Sequence, residues 1–243
     1  MENRCRRPVL ALLAFGLSFG YLEAAVVSYL RVLHEPARQR FYPGRPPSEL
    51  FPLLTPEQTW TVGPEQIRIR NIEVGREAAT LVMLAAVALA VAENTGQWAA
   101  AFVLAFGTWD LAFYGGLKLL LGWPASLFTW DILFLIPVPW AAPVLAPSLV
   151  AVAMIAAGIW HLRREASGKP VAIAPLQWLG IVVGAAILIV AFTLDSQNIR
   201  AGGMPQPFAW GTFSVGLATG ILSYAHAAIA SREHEEAVAR ATA

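Results

Sequence analysis

Seven polar residues stand where an apolar chain leaves little room for them. Glu23, Arg76, Glu77, Asp110, Tyr114, Lys118 and Asp131 fall inside or at the edge of long hydrophobic runs. A charge in hydrocarbon is costly, so such residues turn toward a protein interior or a water-filled cavity. With their neighbours Arg31 and Glu73 they form a layer of five acids (Glu23, Glu73, Glu77, Asp110, Asp131) and three bases (Arg31, Arg76, Lys118). Excess acid in a low dielectric is relieved by a shared proton, a bound cation or pairing with loop arginines.

Three functions could use such a layer. The favoured one is transport-like handling of a small solute, cation or proton in a polar pocket. The second is a non-catalytic subunit of a larger membrane complex, in which the charges are pairs that lock helices together. The third is a membrane enzyme acting on a lipid or isoprenoid head group, with Asp110 or Glu77 as base and Arg76 or Lys118 holding phosphate. A plainer account serves four of the residues: Glu73, Arg76 and Glu77 as interfacial groups, and Lys118 snorkelling to the headgroups.

The elements that must position these residues are membrane helices. The chain is 57% hydrophobic and only 14% charged, well below the ~25% charged residues of soluble domains. With the mean hydropathy of +0.56, this balance belongs to a polytopic α-helical protein embedded in a lipid bilayer. The net charge of +1 gives no sign of a nucleic-acid partner. Spans of about 20 apolar residues cross a bilayer, and the candidates are 8–31, 74–94, 97–121, 131–162, 172–194 and 208–230. The first resembles a signal peptide, because Arg4, Arg6 and Arg7 precede it. Its apolar stretch runs on past Glu23 to Leu30 with no A-x-A pattern, and a retained helix is expected.

The charges share a level because helix direction alternates. Glu23 lies about 12 Å before the end of the first helix, and Asp110 about 16 Å before the end of the third near Leu121. The charge-free stretch 78–92 is too short to cross alone, which draws Glu73, Arg76 and Glu77 into the membrane edge. Asp110, Tyr114 and Lys118 are four apart and share a helix face.

Two segments are irregular. The connection 34–72 is rich in proline and arginine and reads as a partly folded cap over the charged layer. Thr55 caps a short helix with Pro56 in its first turn, and alternation of Trp60, Val62, Ile67 and Ile69 about Gly63 and Pro64 predicts a small hairpin. The fourth span holds Pro137, Pro139, Pro143 and Pro147, which break helices. It reads either as a kinked, partly unwound or re-entrant element over 131–147 followed by a helix over about 148–162, or as a helix hairpin whose turn lies at the surface. Broken backbone at membrane depth is tolerated only when buried in protein or lining a cavity.

Small residues four apart (Gly16, Gly20, Ala24 and Ser28; Gly180 and Gly184; Gly216 and Gly220) let helices approach closely. They are candidate faces for a membrane-protein partner or a homo-oligomer. Arginines and lysine in short loops, with Arg163, Arg164 and Lys169 marking one connection, place both termini in the cytoplasm. The arginines of 34–72 run against that rule. Tryptophans, Trp109 among them, mostly read as interfacial belts. No zinc-protease, CxxC, Walker or nucleophile-elbow pattern occurs. The pair His161 and His226 is a weak metal or haem candidate, and no cofactor is named. Cys5 reads as a free thiol.

The run Trp123-Pro124-Ala125-Ser126-Leu127, then 130–140 through Pro147, with Glu73 to Thr80, resembles uncharacterised bacterial multi-pass membrane proteins. That resemblance implies the membrane class and attaches no activity. The expected fold is therefore all-α: one membrane domain over 1–243, about six transmembrane helices with a proline-broken fourth segment, in a bacterial inner membrane.

Overall fold

The computed structural model describes residues 2–241, with side chains from Arg6 onward, so the Cys5 thiol and Arg4 lie outside the described side chains. Six helices are long and apolar enough to cross a bilayer. They belong to α1 (Glu2–Phe41), α3 (Pro64–Val91), α4 (Thr95–Leu121), α5 (Leu145–Ala166), α6 (Pro175–Thr193) and α8 (Trp210–Ala241), with a short α2 (Pro56–Val62) and α7 (Ser196–Arg200). The protein is a multi-pass α-helical membrane protein.

Helix starts and stops follow local chemistry. The Asn94 side chain accepts from Gln97 N at the start of α4, and Gly122 ends it in the left-handed conformation. Thr55 and Gln58 make a reciprocal capping box for α2. Gly63, at φ 134°, then breaks the chain, and Pro64 opens α3. The predicted hairpin about Gly63 and Pro64 is thus absent: the capping box nucleates a helix on one side, and a proline at a first helical position nucleates one on the other. The alternation of Trp60, Val62, Ile67 and Ile69 belongs to two short helical faces.

The 34–72 connection is also shorter than expected. α1 runs on to Phe41, held by Arg38 on Glu35 at 3.0 Å, and α3 begins at Pro64 with Arg68 on Glu65 at 2.8 Å. Ion pairs at this spacing sustain helix beyond the hydrocarbon, where apolar content no longer marks it.

Packing rests on residues without bulk. A Cβ on Gly20 would stand 2.5 Å from Trp109 O, and one on Gly16 would stand 2.7 Å from Thr108 Cβ. α1 and α4 therefore run parallel at close range. Gly107 and Gly158 join α4 to α5 in the same way, and Gly184 meets the Gly216–Gly220 backbone between α6 and α8. The glycine ladders read as partner faces are filled within the chain.

The fourth span departs furthest from expectation. Of the forms expected for 131–147 the re-entrant one is found, followed by a helix, but it is a β-hairpin and not a kinked helix or a helix hairpin: β1 (Trp130–Phe134) with β2 (Trp140–Pro143), leading into α5 at Leu145. The strands pair antiparallel, Trp130 with Pro143 and Ile132 with Ala141. Pro137 and Pro139 fall in the turn, where no ladder donor is needed. At the base, Val144 N donates to Thr129 O and Leu145 N to Leu127 O. Strand pairing satisfies backbone groups that a proline-broken helix leaves open. The hairpin tip lies deep: Phe134 meets Phe106 and Trp109, and Phe106 is about 22 Å along α4 from its end at Leu121. Trp140 stacks on Phe192 of α6, so the hairpin wedges between helices and has protein on both sides.

Candidate functional site

A cavity of about 320 Å³ opens beneath the cap, walled by α1, α3, α4, β1 and residues 47–54. Of the sequence-predicted site residues, Glu23, Arg76, Glu77, Asp110, Tyr114 and Asp131 all line it. Lys118 does not. Its Nζ donates to Gly122 O at 3.1 Å and Pro124 O at 2.9 Å, so the ammonium closes the end of α4. A lysine in the last turn of α4 reaches forward to the carbonyls that follow the helix more readily than into the pocket below.

The cavity floor is tied together by one guanidinium. Arg76 donates to Glu73 through Nε at 2.8 Å, to Thr80 Oγ1 at 3.3 Å and to Glu23 Oε1 at 3.0 Å. Glu23 also accepts from Trp109 Nε1 at 2.7 Å. Trp109 is accordingly a core residue, 5% exposed, and not a member of an interfacial belt. Glu77 faces the hairpin, accepting from Leu135 N at 2.9 Å. Higher up, the Tyr114 hydroxyl donates to Asp131 Oδ2 at 3.1 Å. At the hairpin tip the side-chain partner is thus a carboxylate, and the backbone group it takes is a donor.

Three lining residues keep a buried polar atom without a hydrogen-bond partner: Asp110 Oδ2, Arg38 Nη1, and Arg31 Nε, whose guanidinium lies 4.2 Å from the Trp123 ring centroid. The rim adds residues that sequence reasoning passed over: Glu35 with Arg38, and His34 Nδ1 2.6 Å from Gln66 Oε1. Their signal was present, since 35 and 38 have helix-pair spacing, but the proline-rich context disguised it as loop. In all, seven carboxyl side chains and four arginines line the cavity. Three of the arginines, Arg31, Arg38 and Arg70, stand toward the mouth, while Asp110 and the Arg76 cluster form the floor.

His161 and His226 take different partners, Tyr224 and Gln177. No group of three or more metal-ligating side chains is found among the described residues. Scans against protein-family models, curated proteins and solved structures return no match.

Proposed function

We propose that this protein is a transport-like component of a bacterial inner membrane that takes a small cationic solute, or protons, into the cavity beneath its cap. On this reading the cap lies outside and both termini are cytoplasmic. The observation that carries it is Asp110. Its Oδ2 is buried, unpartnered and on the wall of a cavity where acids outnumber arginines. A carboxylate in that position needs a proton or a cation, because leaving it charged and unpaired is far more costly than pairing it. Glu23 and Glu73 are already matched by Arg76, and Asp131 lies in the field of Arg31 and accepts from Tyr114, so the deficit falls on Asp110 and Glu77. Trp109, Phe113, Tyr114 and Phe134 surround them and supply ring faces that favour an organic cation.

The head-group enzyme reading is less well supported, since Arg76 is occupied by two carboxylates and Lys118 by two carbonyls. The subunit reading loses the glycine ladders as free faces, though it keeps the Arg76 cluster as a helix lock. The test is thermal unfolding of the detergent-purified protein with sodium, ammonium, methylammonium or N-methylglucamine as chloride salts, paired with a pH-sensitive dye inside proteoliposomes. A saturable stabilisation by one cation, or proton uptake, that is lost in Asp110→Asn is the expected result. No shift with any cation and no proton movement would overturn the reading.

A further inference from the structure

Of the four arginines that line the charged cavity, two have no carboxylate of their own. Arg76 holds Glu23 and Glu73, and Arg38 holds Glu35. Arg31 and Arg70 make no hydrogen bond and no ion pair among the described residues. Asp131 acts on Arg31 only from a distance and is itself bonded to Tyr114. The other acid of the rim, Glu49, is taken by Arg45.

The two unpaired cations stand level across the gap between α1 and α3. These helices are antiparallel and tied twice. His34 Nδ1 meets Gln66 Oε1 at 2.6 Å near the rim, and Arg76 meets Glu23 at 3.0 Å on the floor. Arg31 lies three residues below the upper tie on α1, and Arg70 four residues below it on α3, so they differ in height by about 1.5 Å. Both line the cavity. Arg31 is also held in place, because its guanidinium lies 4.2 Å from the ring centroid of the buried Trp123. Stacking of this kind leaves the edge of the guanidinium free to donate. Its Nε is buried, whereas neither Nη is, so the Nη pair is the edge offered to a ligand.

Two cations facing one space repel each other unless an anion lies between them. Geometry narrows the class of anion. One guanidinium fork satisfies the two coplanar oxygens of a carboxylate, whereas forks from two helices call for oxygens in more than one plane. A phosphate group has that shape. The height fits as well: the apolar run of α1 ends at Leu30, one residue before Arg31, which puts the pair at the bilayer edge. We infer that Arg31 and Arg70 form a seat for one phosphate group at the mouth of the cavity, carried by a phospholipid or by a soluble phosphate. The seat is separate from Asp110 and does not depend on what the floor takes up.

The test is calorimetric titration of the protein in maltoside micelles with inorganic phosphate, against sodium acetate at equal ionic strength. Beside it, native mass spectrometry compares dioleoyl phosphatidylglycerol with dioleoylglycerol, which has the same chains and no phosphate. Saturable binding of inorganic phosphate, which names a soluble ligand, or retention of one phosphatidylglycerol where dioleoylglycerol is stripped, which names a lipid, is the expected result. Arg31→Gln and Arg70→Gln should each weaken that binding roughly tenfold or more, the worth of one charge-assisted hydrogen bond. Arg40→Gln, an equal loss of charge at a residue that does not line the cavity, should leave it unchanged. Arg70 is exposed, so its variant reads the site even where Arg31→Gln loses its helical circular dichroism. Acetate bound as tightly as phosphate, neither phosphate source bound, or an equal loss in Arg40→Gln would overturn the proposal.

Discussion

Arg76 of α3 donates from Nη2 to Glu23 Oε1 of α1 at 3.0 Å across 53 residues of sequence, and the same guanidinium holds Glu73 one turn away. The three side chains are 12–24% exposed. Removing the cation leaves two carboxylates facing each other in a poor dielectric, whereas removing one acid leaves the arginine its second partner. Arg76→Ala should therefore lower stability by about 3 kcal/mol or more, and Glu23→Gln by less. Unfolding in a dodecyl sulfate titration of mixed micelles measures both. Equal stability of Arg76→Ala and wild type would remove the cluster's structural role.

Two glycines make opposite predictions. At Gly20 an added Cβ meets Trp109 O, Ala112 Cβ and Phe113 N, all within 2.7 Å, whereas at Gly75 nothing lies within 4 Å. Gly20→Val should push α1 off α4, with a loss at or above the ~1–3 kcal/mol of ordinary overpacking. Gly75→Ala sits in an exposed stretch of α3 and should gain about 0.5–1 kcal/mol from lower chain entropy. The same micelle titration reads both signs, and a stable Gly20→Val would mean that the parallel α1–α4 contact is not as close as described.

The helices and their order were legible because hydrocarbon imposes a single rule on each crossing segment. Glu23 facing protein was legible too, from its place beside the small-residue ladder at Gly20 and Ala24. The hairpin 130–143 was not. Ile132, Leu133, Phe134, Leu135 and Ile136 read equally well as helix or strand, and the prolines told only that a regular helix fails there. The choice of strand depends on Glu77, 58 residues earlier, and on Trp109 and Phe192, which the hairpin packs between. Lys118 was misplaced because helix-face spacing fixes direction around the axis but not whether a long side chain reaches along it to the carbonyls that follow the helix.

The Glu77–Leu135 bond tests that long-range dependence. Leu135 follows β1 at the turn, and its N–H has the Glu77 carboxylate 2.9 Å away. Glu77→Ala leaves that part-buried donor open at up to about 1–3 kcal/mol, while Glu77→Gln keeps an acceptor oxygen in place. Hydrogen exchange of peptides covering 130–143 should accelerate in Glu77→Ala and stay near wild type in Glu77→Gln. Unchanged exchange in both would show that the hairpin is held by Phe134 and Trp140 alone.

The hairpin also fixes the parity of the chain. Leu127 and Leu145 are bonded to each other through O and N, and Thr129 to Val144 likewise. The segment thus returns to the side from which it entered the bundle and adds no crossing. α1, α4 and α6 then run one way and α3, α5 and α8 the other, which places the cap and the turn after α4 on one side and the turn after α5 on the other. Ser48 in the cap and Ser167 after α5 are both exposed and report the two sides. In a Cys5→Ala background, Ser48→Cys should react with a membrane-impermeant maleimide on intact cells, and Ser167→Cys only after the cells are opened. That outcome also orients the molecule, with Arg163, Arg164 and Lys169 in the cytoplasm as short-loop cations are, and the cap arginines on the far side because they serve the cavity rim and helix pairs. Labelling of both positions on intact cells would mean an even number of crossings between them, and the hairpin could not then return to its own side.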